Sequence, residues 1–188
     1  MKKLTNTDYA EAANKLNTEV AIIKAVASVE SAGGGFLRSG APKILFEGHQ
    51  FYKRVPVECN DESICVKGWT EARKHYKYGD AEYTRLALAM SYDCGSALQS
   101  ASWGKFQIMG FNYSRAGYDD VFKYVQDMFI SEKKHLDAFL NFISKARLIE
   151  PMKNKDWNTF ARIYNGSRYK ENKYDEKLEK AYLRYKIA

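Results

Sequence analysis

The sequence predicts a mainly α, globular fold with a minor β or irregular lobe. Two observations carry that expectation. Apolar residues recur at helical spacing in one segment after another, whereas alternating, strand-like runs are few. Pro42, Pro56 and several glycines gather between Gly33 and Cys65, which marks that stretch as irregular. At 188 residues, a single domain spanning 1–188 is expected. A hydrophobic share of 45% against 28% charged residues suits a soluble globule that can bury a sizeable core.

In chain order, two helices are expected over about Asp8–Leu16 and Glu19–Glu30, the second with Thr18 as N-cap and Gly33-Gly34-Gly35 as its stop. Lys43–Glu47 reads as a short strand or a turn of helix. Helical spacing returns over about Ala81–Tyr92 and Ser96–Ser100. One long helix is expected from Asp119 to Ala146, with Phe122, Val125, Phe129, Leu136, Leu140 and Ile143 on one face. A short helix over Trp157–Ile163 follows, then one over about Asp175–Tyr185 with Leu178, Ala181 and Tyr185 inward. There is no internal repeat.

Glu30 is the most informative residue. It ends the apolar run Val20–Val29, and Ile23, Val26 and Glu30 follow i, i+3, i+7 spacing, so the acid shares a face with core residues. Desolvation and the negative end of the helix dipole both disfavour its charged form. A carboxyl kept protonated near neutral pH can donate a proton to a leaving oxygen. The plainer reading is a Glu fraying into solvent at a helix end.

A second informative segment is Ser100–Asn112, where small residues, two glycines and Trp103 surround Gln107. An amide in such a setting needs partners for its donor and its acceptor. It either closes a tight turn or faces a ligand bearing hydroxyl and acetamido groups. The third segment, Phe160–Gly166, places Tyr164 and the Asn165-Gly166 stop at the end of a helix, and is weak alone.

A net charge of +7 admits nucleic acid, anionic membranes or anionic wall polymers as partners. The basic residues are interleaved with acids, as in Lys170–Lys186, which reads first as a solvated helix face; no nucleic-acid motif is present and nucleic acid is not expected as a partner. Fourteen tyrosines offer platforms with an apolar face and a polar tip, suited to sugars. Cys59, Cys65 and Cys94 have no metal-site spacing and are expected to be free thiols. His49, His75 and His135 show none either, and His135, in a charged helical run, is expected at the surface. The opening Met1–Asp8 is basic but is followed by no apolar stretch, so no signal peptide is expected.

Taken together, Val29-Glu30-Ser31, Gly104-x-x-Gln107-Ile108-Met109 and Tyr164-Asn165-Gly166 resemble, in order, the signature motifs of goose-type lysozymes and soluble lytic transglycosylases. More closely, the chain is similar to the single-domain N-acetylmuramidase family of phage and prophage endolysins. Gly35-Phe36-Leu37, Pro42–His49, Ser100–Gly104, Phe106–Asn112, Gly117-Tyr118, Trp157 and Phe160-Ala161-Arg162 extend the likeness from about Ala21 to Tyr182, with Val57–Tyr83 matching least. The family pattern carries a basic residue where this chain has Gly48. The resemblance implies a lysozyme-like domain without a separate wall-binding module. It implies cleavage of the β-1,4 bond between N-acetylmuramic acid and N-acetylglucosamine in peptidoglycan strands. Glu30 matches the catalytic acid and Glu47 a second acid, whose plainer role is an ion pair with Lys43, Arg38 or His49. Gln107, Asn112, Tyr118, Tyr164 and Asn165 match groove positions that contact sugar or orient the acid or a water. No metal or cofactor is implied. A monomer is expected, made in the bacterial host cytoplasm and reaching the wall by holin-type release, with electrostatic attraction to the anionic envelope. The competing readings are a lytic transglycosylase acting on the same bond and a non-catalytic envelope-binding protein.

Overall fold

The first helix, α1 (Asn6–Leu16), begins at a capping box: Thr5 Oγ1 accepts from Asp8 N at 3.2 Å, and Thr5 N donates to Asp8 Oδ2 at 2.8 Å. The computed structural model describes residues 3–31, 33–166 and 169–187. Met1 and Lys2 of the basic opening and Ala32 after Glu30 lie outside them. α1 ends at Asn17, which takes the left-handed conformation, and Thr18 N donates to Ala13 O at 2.9 Å. Thr18 therefore belongs to the closure of α1 and does not cap the next helix. Glu19 holds that place without a side-chain capping bond, and α2 runs Val20–Glu30. Its end also differs from expectation. Ser31 leaves the helix extended, and its hydroxyl donates back to Ala27 O, so a serine and not a glycine satisfies the last turn.

A small antiparallel sheet follows. β1 (Ile44–Phe46) pairs with β2 (Ala101–Trp103), which pairs with β3 (Ile108–Met109); Leu45 faces Ser102, and Ser102 faces Met109. Between β1 and β2 lie α3 (Gly48–Tyr52), α4 (Trp69–Arg73), α5 (Ala81–Tyr92) and α6 (Cys94–Gln99). The short helices α3 and α4 occupy a stretch whose composition reads as loop. Five-residue helices carry too little periodicity to announce themselves. At Gly48, an added Cβ would stand 2.9 Å from Ile64 O, so the basic side chain of the family pattern has no room here.

The expected long helix is two helices, α7 (Val121–Met128) and α8 (Glu132–Lys145). Ser131 breaks it by capping α8, its hydroxyl accepting from Lys134 N at 3.3 Å. The break resets the helical phase. Val125, Leu136, Leu140 and Ile143 are buried as expected, but Phe122 and Phe129 are about half exposed. The chain closes with α9 (Ile149–Lys153), α10 (Trp157–Asn165) and α11 (Tyr174–Ile187). α11 lies along α2 and buries Leu178 and Tyr182, with Ala181 and Tyr185 half buried; Tyr182 also donates to Glu19 Oε2 at 2.9 Å. Cys59, Cys65 and Cys94 are free thiols, and burial beside Cys59 pushes the Cys65 thiol up to about 12. Among the described residues no helix is long and apolar enough to cross a membrane, and no cluster of His, Cys, Asp or Glu could hold a metal ion.

Candidate active site

Glu30 stands at the last position of α2, where the apolar face of the helix meets a cavity of about 510 Å³. Ile23 and Val26 behind it are fully buried. The carboxyl is largely buried, and its hydrogen bond comes from a neutral group: Asn165 Nδ2 donates to Glu30 Oε1 at 3.1 Å. Burial outweighs that bond and pushes the acid up to about 7. The group is therefore poised between its two protonation states near neutral pH, which suits a proton donor.

Three elements build the cavity around it: the end of α2, the end of α10 and the β2–β3 turn. Gln107, Asn112, Tyr164 and Asn165 line the same cavity as Glu30. Gln107 adopts a left-handed backbone, φ 48°, and its amide closes the turn on itself. Its Oε1 accepts from Ser102 Oγ at 2.8 Å, and its Nε2 donates to Gly104 O at 2.8 Å and Lys43 O at 3.2 Å. Tyr164 donates to Phe106 O at 3.2 Å and stacks on Phe160, which ties α10 to the same turn. Asn112 sits at the end of the 3-10 turn Gly110–Asn112, its side-chain amide free of protein partners among the described residues.

Two of the expected site residues do not line this cavity. Tyr118 donates to Asp127 Oδ2 at 3.0 Å and packs edge-on to Tyr124, whose hydroxyl in turn donates to Ile108 O. Glu47 follows β1 and takes a hydrogen bond from Tyr76, with His49 Nδ1 at 3.3 Å. Of the ion-pair partners expected for it, His49 is in contact. Burial raises the Glu47 carboxyl, opposed by Tyr76 and Arg85. Side chains alternate along a strand, so Leu45 shares the sheet face of Ser102 and Met109, and Glu47 follows two residues on, just past the end of β1. Met109, on that face, lines the cavity of Glu30.

The supports were not visible in the motifs. Glu82 and Arg85, one turn apart on α5, form a buried ion pair at 2.8 Å. Glu82 accepts from Phe46 N and Arg85 donates to Phe46 O, each at 3.1 Å, which fixes the strand end from which Glu47 projects. Spacing of i, i+3 on a helix reads as a solvated pair, and nothing in the sequence marks it as buried. His135, expected at the surface, is buried under the loop that follows Glu30. Its ring stacks on Phe36 and fits against Gly35 and Gly104, where an added Cβ would come within 2.5 and 2.9 Å of it. Nδ1 accepts from Lys105 N at 3.1 Å, so Nε2 carries the proton and donates to Met128 O at 2.7 Å. Burial holds this imidazole neutral, below the usual histidine range. Beside it, Glu132 accepts from Gly35 N at 2.7 Å and Leu4 N at 3.1 Å. Tyr174 and Phe142 also line the cavity and belong to no motif, and Val29 of the first motif lines it beside them.

The sequence profile of the N-acetylmuramidase family matches residues 19–186. The chain belongs to the N-acetylmuramidase family. It is a glycoside hydrolase of the lysozyme type, acting on peptidoglycan, and not a purely envelope-binding protein. The crystal structure of Burkholderia AP3 phage endolysin superposes with a TM-score of 0.89 at 38% sequence identity, over 100% of this chain and 73% of that one. No curated protein sequence matches the chain. The mainly α architecture with its three-stranded sheet is thus the lysozyme-like fold of this N-acetylmuramidase.

Proposed function

We propose that this N-acetylmuramidase is an endolysin that cuts the bond between N-acetylmuramic acid and N-acetylglucosamine with Glu30 as general acid. The observation that carries the assignment is the buried Glu30 carboxyl, pushed up to about 7 in the wall of the cavity. In the reaction, the Glu30 carboxyl gives its proton to the glycosidic oxygen, and the C1–O bond breaks with its electrons on the leaving sugar. Water then bonds to C1 and yields its proton to a carboxylate. Asn165 holds Glu30 in place, Gln107 and Tyr164 fix the turn that forms the facing wall, and Asn112 offers an unused amide to the acetamido sugar. Tyr118 supports that wall through Tyr124. Glu47 is assigned as the base for the incoming water, from its match to the family's second acid and from its partly buried carboxyl just past the end of β1.

One observation favours a second outcome. Glu30 is the one acid among the described residues that line the cavity. A single acid that also acts as base would let the muramic 6-hydroxyl attack in place of water, leaving an anhydro end, as lytic transglycosylases do. Mass spectrometry of digested, purified peptidoglycan tests both points. Reducing N-acetylmuramic ends are expected from the wild type and none from Glu30→Gln. Anhydro ends would assign the second outcome. Activity of Glu30→Gln within a few-fold of wild type would overturn the role of Glu30. The likeness to a phage endolysin supports action on the host wall by a monomer made in the host cytoplasm and released by a holin-type route. The net charge of +7 supports electrostatic capture on the anionic envelope.

A further inference from the structure

The cavity of Glu30 does not end at α2. It shares Val29 and Tyr174 with a second hollow of about 510 Å³ between α2 and α11. That hollow shares Ser28 and Ser31 with a third, of about 430 Å³, bordered by α1. Through these shared lining residues the three adjoin one another, a trough in three sections that runs from the acid across α2. Its charge is one-sided. Lys177, Lys180 and Arg184 line the middle section and Lys24 and Lys105 the far section, while no Asp or Glu lines either. The acids of α11, Asp175, Glu176 and Glu179, lie off the trough, so the mixed charge of that helix is sorted by face. Lys24, Lys177, Lys180 and Arg184 have no ion-pair partner within 4.0 Å among the described residues, although pairs are plentiful elsewhere on the surface. Tyr174 lies at the junction, with Lys177 Nζ 5.3 Å from the centre of its ring.

Unpaired cations along a groove that opens into a glycan-cleaving cavity need an anion attached to the glycan. Lys177, Lys180 and Arg184 follow i, i+3, i+7 spacing and span about 10 Å along the helix. An extended peptide of three residues spans about the same. We propose that the trough binds the acidic stem peptide that each muramic acid carries on its lactyl group, with Lys177, Lys180 and Arg184 meeting its carboxylates. This deepens, and rests on, the reading of the cavity as the muramic-acid site. The enzyme then selects peptide-bearing strands over bare ones, and Lys177, Lys180 and Arg184 are specificity residues that take no part in bond cleavage.

The test uses two soluble glycan oligomers of equal length, with and without stem peptides, and the variant Lys177→Gln/Lys180→Gln/Arg184→Gln. Three partly exposed charge contacts suggest a preference of about tenfold in kcat/KM for the peptide-bearing oligomer in the wild type. The triple variant is expected to lose it through KM, to cut the bare oligomer within twofold of wild type, and to keep its melting temperature. Restoring charge with Lys177→Arg/Lys180→Arg/Arg184→Lys should restore the preference. Equal rates on both oligomers in the wild type would overturn the proposal, as would an equal loss on both in the variant. So would an unchanged preference accompanied by lost binding to phosphatidylglycerol vesicles, which would assign the cations to lipid phosphates. If the wild type cuts neither oligomer, the muramidase reading fails by itself. Calorimetric titration of both oligomers into Glu30→Gln protein, with and without the triple change, then decides the trough separately: tighter binding of the peptide-bearing oligomer, lost on neutralisation, supports it, and equal binding overturns it.

Discussion

At the scale of single residues, the role proposed for Glu30 and the stability of the fold pull the substitution Glu30→Gln in opposite directions. The folded carboxyl titrates near 7, above its ordinary value of 4.5, so between those values the folded state holds more protons than the unfolded. Its contribution to stability is fully present below about 4.5 and is lost as the pH rises through 7. Glu30→Gln removes the ionised form and keeps a group that can accept from Asn165. The variant should therefore melt higher than wild type at pH 8, by a margin on the order of 2 kcal/mol, with the gap closing at pH 5. The same substitution should lower activity ~10²–10⁴-fold. Calorimetry and lysis assays on one preparation check both, and a wild type that is the more stable protein at pH 8 would contradict the burial described for Glu30. In the wild type, kcat/KM should fall with rising pH on a limb centred near 7, and that limb should be absent from the residual activity of Glu30→Gln. Glu47→Gln separates its two roles in the same way. Loss of activity at an unchanged melting temperature marks a base; a lowered melting temperature with full activity per folded molecule marks the Tyr76–Glu47–His49 cluster as structural.

At the scale of elements, the loop after Glu30 is held by parts distant in sequence. Gly35 and Gly104 leave room for the His135 ring, and Glu132 takes the Gly35 N–H. Gly104→Ala should cost about 1–3 kcal/mol, since the new methyl meets an imidazole at 2.9 Å and the backbone there has φ 69°. Thermal melts check this, and a neutral effect would mean that the His135 ring can shift at no cost. These supports explain which parts of the site were legible. Glu30, Gln107, Asn112, Tyr164 and Asn165 sit in local patterns, a helix end, a tight turn and an Asn-Gly stop, which a reader can align with a known family. Glu82, Arg85, Glu132 and His135 look like solvated helix charges, because their burial is decided by segments far away in the sequence. The fold behaves likewise. The boundaries of α5 follow directly from periodicity over Ala81–Tyr92. The α7–α8 break was hidden because an apolar pattern continues through Phe129 while Ser131 ends the helix by capping the next one.

At the scale of the whole molecule, the proposed electrostatic capture of an anionic substrate makes a prediction about salt. With a net charge of +7, lysis of permeabilised cells should fall as NaCl rises, because exposed charges are screened beyond ~8 Å at physiological ionic strength. Cleavage of a short, peptide-free glycan should respond much less, since it depends on the cavity and on Glu30. Turbidity and fragment assays across a salt series check this. Equal salt dependence for both would remove any role for the basic surface in capture.

The pairing of α11 with α2 also carries a consequence in time. Tyr182 and Glu19, joined across those helices, are 163 residues apart. At roughly 5–20 residues per second, a ribosome makes the acid-bearing helix about 8–30 s before the helix that lies along it. Until then Glu30 is present without Asn165 beside it or Tyr174 in its wall. On the role proposed for Glu30, a nascent chain is expected to leave glycan uncut over that interval. Translation would then itself act as a delay, and a chain cut short before Tyr174 carries Glu30 without a complete cavity wall around it.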